Sequence, residues 1–214
     1  VSLPDGFDEL PWDDFPQLKE VIERWRKRDI VSPEKYAELL DLMKATAFSA
    51  ARAFDETTRK RLFELLERVL SEGMTVKEFK EAAGPVLDSP WYADLVYRTN
   101  VANAQAAGQY AVEFTEDLDI WPYWQFDATI DSRNATTDDC PGRICRNLHG
   151  KVFRKDDKAA RRLLPPLHFQ CRCVANDVLA DYGGTVANGT TEASRNTPPP
   201  GWDYDRIAGL LGVL

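Results

Sequence analysis

The sequence predicts an α+β protein, a helical N-terminal half followed by a small α+β domain with a short antiparallel sheet and a Cys/His cluster. Three observations predict it. Apolar residues recur at helical spacing through the first half, the period switches to alternation near residue 124, and all four cysteines crowd into residues 140–173 beside a histidine.

The first helix is expected in "PQLKEVIERWRKR", where Leu18, Val21, Ile22 and Trp25 form one face. A second opens with Ser32 as cap and Pro33 and Glu34 in its first turn, then runs through Phe54 on a stripe of Leu39, Leu40, Met43, Ala47 and Phe48. A third carries Leu62, Leu65, Leu66 and Val69 and stops at Gly73. Thr75 with Glu78 three residues on is a capping box, so a short fourth helix runs from there to Gly84-Pro85. Ser89-Pro90 starts a fifth, whose interior is unlike the others. Ala102, Ala104, Ala106, Ala107 and Gly108 are small, while Arg98, Asn100, Asn103, Gln105 and Gln109 need hydrogen-bond partners, which marks this helix as central to its domain.

Trp124, Phe126 and Ala128 then alternate with Gln125, Asp127 and Thr129, the pattern of a strand buried on one face. Beyond it the chain is expected to be irregular, with a short strand at Lys151 to Phe153, a short helix in "DDKAARRLL" and a strand continuing from "CRCVANDVL". The Gly-, Thr-, Asn- and Pro-rich residues after Tyr182 predict an extended tail, and the apolar "YDRIAGLLGVL" predicts docking on this molecule or another. The expected division is a helical region over 1–87, a second domain over 88–181 and a tail over 182–214.

A composition of 43% hydrophobic and 29% charged residues is that of a globular chain. No run approaches the length of a bilayer span, and "VSLPDGFDELPW" lacks the features of a secretion signal, so a soluble cytoplasmic product with no membrane partner is expected. The formal net charge of −8 argues against a surface that grips nucleic acid throughout. A local reversal lies within it: Arg143, Arg146, Lys151, Arg154, Lys155, Lys158, Arg161, Arg162 and Arg172 face only Asp156 and Asp157 over that span, whereas "DGFDELPWDDF" is acidic and aromatic.

The cysteines are arranged as Cys140-x4-Cys145 and His168-x2-Cys171-x-Cys173. Two close groups of soft or borderline donors joined by a loop suit a tetrahedral ion, so Cys140, Cys145, His168, Cys171 and Cys173 are the candidate ligands and zinc the candidate metal. Other readings stand beside it. Disulfides belong to exported proteins, and a bridge between Cys171 and Cys173 would be strained. A Cys-His nucleophile oriented by Asp131 or Asp139 would need a cleft, and Cys171 or Cys173 could equally be a buried small apolar side chain. His168 is preferred over His149, which precedes a turn glycine.

Several of these motifs occur in a fixed order: "YRTNVANAQAAGQY", "YWQFDATIDSR", "CRNLHGKVFRKDD" and "PPLHFQCRC". Together they resemble the phage Mu F-like minor head protein family, or phage head morphogenesis domain, over roughly 91–180. The family pattern is an Arg-Thr-Asn helix, an aromatic strand ending in Asp-x-Arg, a Cys or His followed by Leu-Asp-Gly-Lys-Val-Phe, then Pro-Pro and a closing Cys-Arg-Cys. Arg98, Thr99 and Asn100 occupy the helix motif, Asp131 and Arg133 the post-strand motif, Cys145 the Cys-or-His position, and Pro165, Pro166, Cys171, Arg172 and Cys173 the closing motif. The chain departs from the pattern at His149, where the family has Asp, and in its longer "NATTDDCPGRIC" loop.

The resemblance implies a minor capsid protein of a tailed phage, acting in head assembly and in DNA packaging or delivery. Its implied place is the portal vertex or head interior of the virion, after assembly in the host cytoplasm, with the portal or major capsid protein as partner. The charge pattern adds two expectations: a basic groove on a partner takes the acidic arm, and the Arg143–Arg172 stretch touches DNA phosphates non-specifically. An alternative is a toxin-like nuclease or transferase built on the same domain, with Arg98, Asp131, Arg133, His149 and His168 around a polar pocket. No glycine loop, metal-hydrolase motif or nucleophile elbow supports catalysis, and no catalytic residue is assigned.

Overall fold

The computed structural model describes residues 16–30, 47–48, 55–87, 89–131, 142–199, 201–203 and 205–211. Helix α1 (Pro16–Arg26) carries Val21 and Trp25 into the core, and the Trp25 indole donates to Phe63 O at 3.3 Å while stacking on the Phe63 ring. Strands β1 (Asp29–Ile30) and β2 (Ala47–Phe48) pair in parallel. This corrects the reading of one helix from Ser32 through Phe54. Its apolar stripe is a local signal, whereas the pairing that takes Ala47 and Phe48 is made with backbone far back in the chain; the rest of that expected helix lies outside the described residues.

Helix α2 (Glu56–Glu72) starts at Asp55, whose carboxylate accepts from Thr58 N at 2.7 Å, and ends at Gly73, whose φ of 70° is a left-handed conformation that glycine adopts without a Cβ penalty. Helix α3 (Val76–Ala83) has the full capping box: Thr75 Oγ1 accepts from Glu78 N, and Glu78 accepts from Thr75 N at 2.8 Å. Helix α4 (Pro90–Glu113) begins at the Ser89 cap with Pro90 in its first turn, and α1, α2 and α3 all pack on it. At 24 residues it spans about 36 Å, enough to serve two cores.

The two cores meet along α4. Tyr92, Ala93, Val96 and Ala104 join Trp25, Leu62, Leu66 and Phe79 in the first, while Tyr110 belongs to the second. The polar residues of α4 find partners in two ways. Asn100 and Asn103 donate back to Val96 O and Thr99 O, and Gln109 reaches across to Ala175 O at 2.9 Å.

The second core is covered by a sheet in the order β4-β3-β5, all antiparallel, made of β3 (Tyr123–Asp127), β4 (Val152–Arg154) and β5 (Val174–Val178). The alternation holds: Trp124, Phe126 and Ala128 point inward, and the residues between them are half-buried or exposed. Between β3 and β4 lies helix α5 (Gly142–Leu148), in a stretch whose sequence reads as irregular. Helix α6 (Lys158–Arg161) is capped by Asp157.

The described residues after Tyr182 include two short helices where an extended tail is expected. Val186 bridges Val152, Asn188 caps helix α7 (Gly189–Arg195), and helix α8 (Arg206–Leu211) buries Ile207 in the second core. Composition concealed this because α7 is held by long-range polar contacts. Glu192 accepts from Lys151 at 2.7 Å, Asn147 donates to Asn196, and Gly189 lies so close to α6 that a Cβ there would stand 2.5 Å from Ala160 N.

The basic stretch is largely balanced within the fold. Lys151, Arg154, Lys155, Arg162 and Arg172 pair with Glu192, Asp156, Asp177, Asp203 and Asp131. Lys155 is itself buried, donating to Glu113 O at 2.6 Å and lying over the Phe114 ring. Burial pushes the neighbouring Glu113 carboxyl up to about 7; Gln109 and Lys155 oppose the rise and Asp177 adds to it.

A carboxyl raised from 4.5 to about 7 on folding makes the native state bind the extra proton, so ionisation lowers stability as pH rises through that interval. Glu113→Gln is therefore expected to remove a decline in the urea midpoint between about pH 4.5 and 7, and to be the more stable form above pH 7. Parallel pH profiles for the two proteins would contradict this.

Candidate metal centre

Two elements bring the thiols together. Helix α5 presents Cys145 on its buried face beside Leu148, with the sulfur directed into the second core. The arm between α6 and β5 supplies the rest. Leu163, Leu164 and Leu167 are fully buried and anchor it, Pro165 and Pro166 stiffen it through fixed φ angles, and Gln170 turns the chain at φ 58°. Cys171 N donates to His168 O at 3.2 Å across that turn. Cys173 follows two residues later at the entry to β5, where residues i and i+2 of extended chain share a side.

The Sγ atoms of Cys145, Cys171 and Cys173 all lie within 4.8 Å of one another, and none is in a disulfide. Cys145 and Cys171 are 3.8 Å apart, and His168 Nε2 lies 3.3 Å from Cys145 Sγ. Thiolates bound about 2.3 Å from a tetrahedral zinc stand about 3.8 Å apart, so this spacing fits that ion. His168 Nδ1 is 2.8 Å from Phe169 O, a carbonyl that can only accept, so Nδ1 donates there and Nε2 is the ring nitrogen that faces the sulfurs. Three sulfurs and one imidazole suit zinc better than a hard cation.

The groups are close enough to shift one another. Hydrogen bonds from Cys145 and Cys173, with a further one from His168, draw the Cys171 thiol far below its usual value despite burial. The bond with Cys171, the bond with Cys173 and burial push Cys145 far up. Cys173 is pulled down by Cys145 but pushed up to about 12 by Cys171 and burial. Burial pulls His168 down, and the Cys171 sulfur more than offsets it, leaving the imidazole raised. The three thiols and the imidazole thus perturb one another across a few ångströms, as the donors of one site would.

Asp131 and Arg172 form an ion pair at 2.5 Å, and Thr129 donates to Arg172 O, so the loop after β3 holds the Cys-Arg-Cys arm. His149 is engaged elsewhere: its Nδ1 accepts from Ala128 N at 3.1 Å, beside Asp127. Arg98 pairs with Asp94 along α4. Cys140, Arg133 and Asp139 lie outside the described residues.

Sequence reasoning overlooked the support beneath the arm. Tyr110 Oη donates to Pro165 O at 2.7 Å, and the Arg206 side chain donates to Leu164 O at 2.8 Å and also to Pro166 O. A charged residue inside the apolar "YDRIAGLLGVL" was the available signal.

A long helix bridging two small cores, with a three-stranded sheet beside a cysteine cluster, defines a small α+β fold rather than a bundle or sandwich. Residues 60–176 match the family model "Phage Mu protein F like protein", and the chain belongs to that family. It is 25% identical over 250 aligned residues to the putative capsid assembly protein F of Escherichia phage Mu, covering 91% of this chain and 55% of that protein. It is 31% identical over 176 residues to the Mu-like prophage FluMu F protein of Haemophilus influenzae, covering 81% of this chain and 39% of the other. The chain thus spans about half or less of these curated relatives. No solved structure matches it.

Proposed function

We propose that this protein is a minor head component that acts in head assembly at the portal vertex or head interior, with a structural zinc held by Cys145, His168, Cys171 and Cys173. The observation that carries the role is its similarity to a relative named as a capsid assembly protein. The donor set carries the zinc, which would tie α5 to the arm before β5 by coordination and add to the burial that already anchors the arm. Cys140 is a further candidate ligand. The helical region over 1–87 and the domain over 88–181 are proposed as its working parts.

The partner is the portal or major capsid protein, and the place is the virion head after assembly in the host cytoplasm. No helix among the described residues is long and apolar enough to cross a membrane. DNA packaging or delivery follows as the downstream role. Direct phosphate contact through Arg143–Arg172 is the weaker part of this reading, because five of its nine cations are already balanced by carboxylates. Co-expression with the cognate portal and major capsid proteins should place a few copies of the chain in sedimenting head particles. Head particles that exclude it, together with no portal complex in solution, would refute the assignment.

A further inference from the structure

We propose that Arg206 is a positioning residue for the metal centre, and that the C-terminal segment from Trp202 to Ile207 clasps the arm bearing His168, Cys171 and Cys173. This rests on the zinc reading above. Leu164, Pro165 and Pro166 are buried, and their three consecutive carbonyls need donors that the two prolines cannot return locally. Residues distant in sequence provide all three. Tyr110 takes Pro165 O from α4, while one guanidinium takes Leu164 O through Nε and Pro166 O through Nη2.

The planar fork of arginine spans two carbonyls that a single ammonium would not hold in the same way. Arg206 is 4% exposed, so these bonds are shielded from competing water. Two further contacts fasten the clasp. Trp202 meets the Phe169 ring edge-on at 5.3 Å, the Arg206 guanidinium lies over the Trp202 ring at 5.8 Å, and Asp203 receives Arg162 through two bonds. Phe169 O is the acceptor that sets the His168 tautomer, so the clasp leads directly to a proposed ligand. Ile207 shares the core of Cys145, Leu167 and Cys171. All of these clasp residues after Pro199 lie beyond the 60–176 match to the family model.

The test uses the whole chain and three readouts: zinc affinity against a chromophoric chelator, the absorption spectrum of the cobalt(II) form, and the rate at which Cys171 is alkylated in metal-free protein. Arg206→Ala should weaken zinc by about 10–100-fold, as loss of outer-sphere support does. It should also change the cobalt spectrum and speed alkylation, with Arg206→Lys intermediate in all three. Unchanged affinity, spectrum and alkylation in Arg206→Ala would overturn the proposal. If the wild-type protein binds neither metal, the zinc reading falls and the alkylation rate alone decides the clasp: faster in Arg206→Ala supports it, equal rates refute it. Should Arg206→Ala fail to fold, Asp203→Asn loosens the same segment from its rim. A several-fold effect on affinity or alkylation then supports the clasp, and no effect overturns it.

Discussion

Cys171→Ser should release the metal and lower the melting temperature of the protein by about 10 °C, an effect that chelation of the wild-type protein reproduces. Cys171 is buried 3.8 Å from Cys145, and its sulfur lies within 4.8 Å of those of both Cys145 and Cys173, so its loss removes one of four donors from the middle of the cluster. A ligand present at about a thousand times its dissociation constant stabilises the folded state by about 4 kcal/mol. For a chain of this size that corresponds to the shift given above. The same chelator should leave the Cys171→Ser melting temperature unchanged, because nothing remains to remove. Elemental analysis of reduced wild-type protein without stoichiometric zinc, and a chelator-insensitive melting curve, would contradict the metal reading while leaving the fold intact.

Trp124→Ala is expected to cost about 3–5 kcal/mol in denaturant unfolding, the range for emptying an aromatic site in a closed core. Trp124 is fully buried in β3, the central strand, stacks on Phe153 with centroids 4.8 Å apart, and stands in register with Phe153 on one side and Asp177 on the other. Its loss therefore loosens both strand pairs. Trp124→Phe should recover most of that stability: the ring contact survives, and the indole N–H it removes is buried without a hydrogen-bond partner among the described residues. Equal losses for the two variants would show that the indole N–H, rather than ring volume, holds the sheet.

Features set within a few residues were readable in advance. The Thr75 and Glu78 box, the Gly73 stop, the Ser89-Pro90 start and the inward run of Trp124, Phe126 and Ala128 all depend on local dihedral preference and side-chain period. The ordered motifs from Arg98-Thr99-Asn100 to Cys171-Arg172-Cys173 likewise point to the family whose model matches residues 60–176. Helix α5 was not legible because its seven residues make too short a stripe to show a period.

What the sequence by itself determined, then, is the helices α1 to α4, the central strand, the family and a short inventory of candidate metal donors. Tertiary structure alone decided how these are used. It set Cys145 against His168 across 23 positions, balanced Lys155 with Asp177, turned the Gly- and Thr-rich residues after Tyr182 into a packed helix, and brought Arg206 back over 40 positions to hold Pro166. The physical reason is one of range. Caps and periods are fixed by neighbours along the chain, while pairing of buried charges, carbonyls and thiols depends on which distant groups share a low-dielectric interior once the cores have closed.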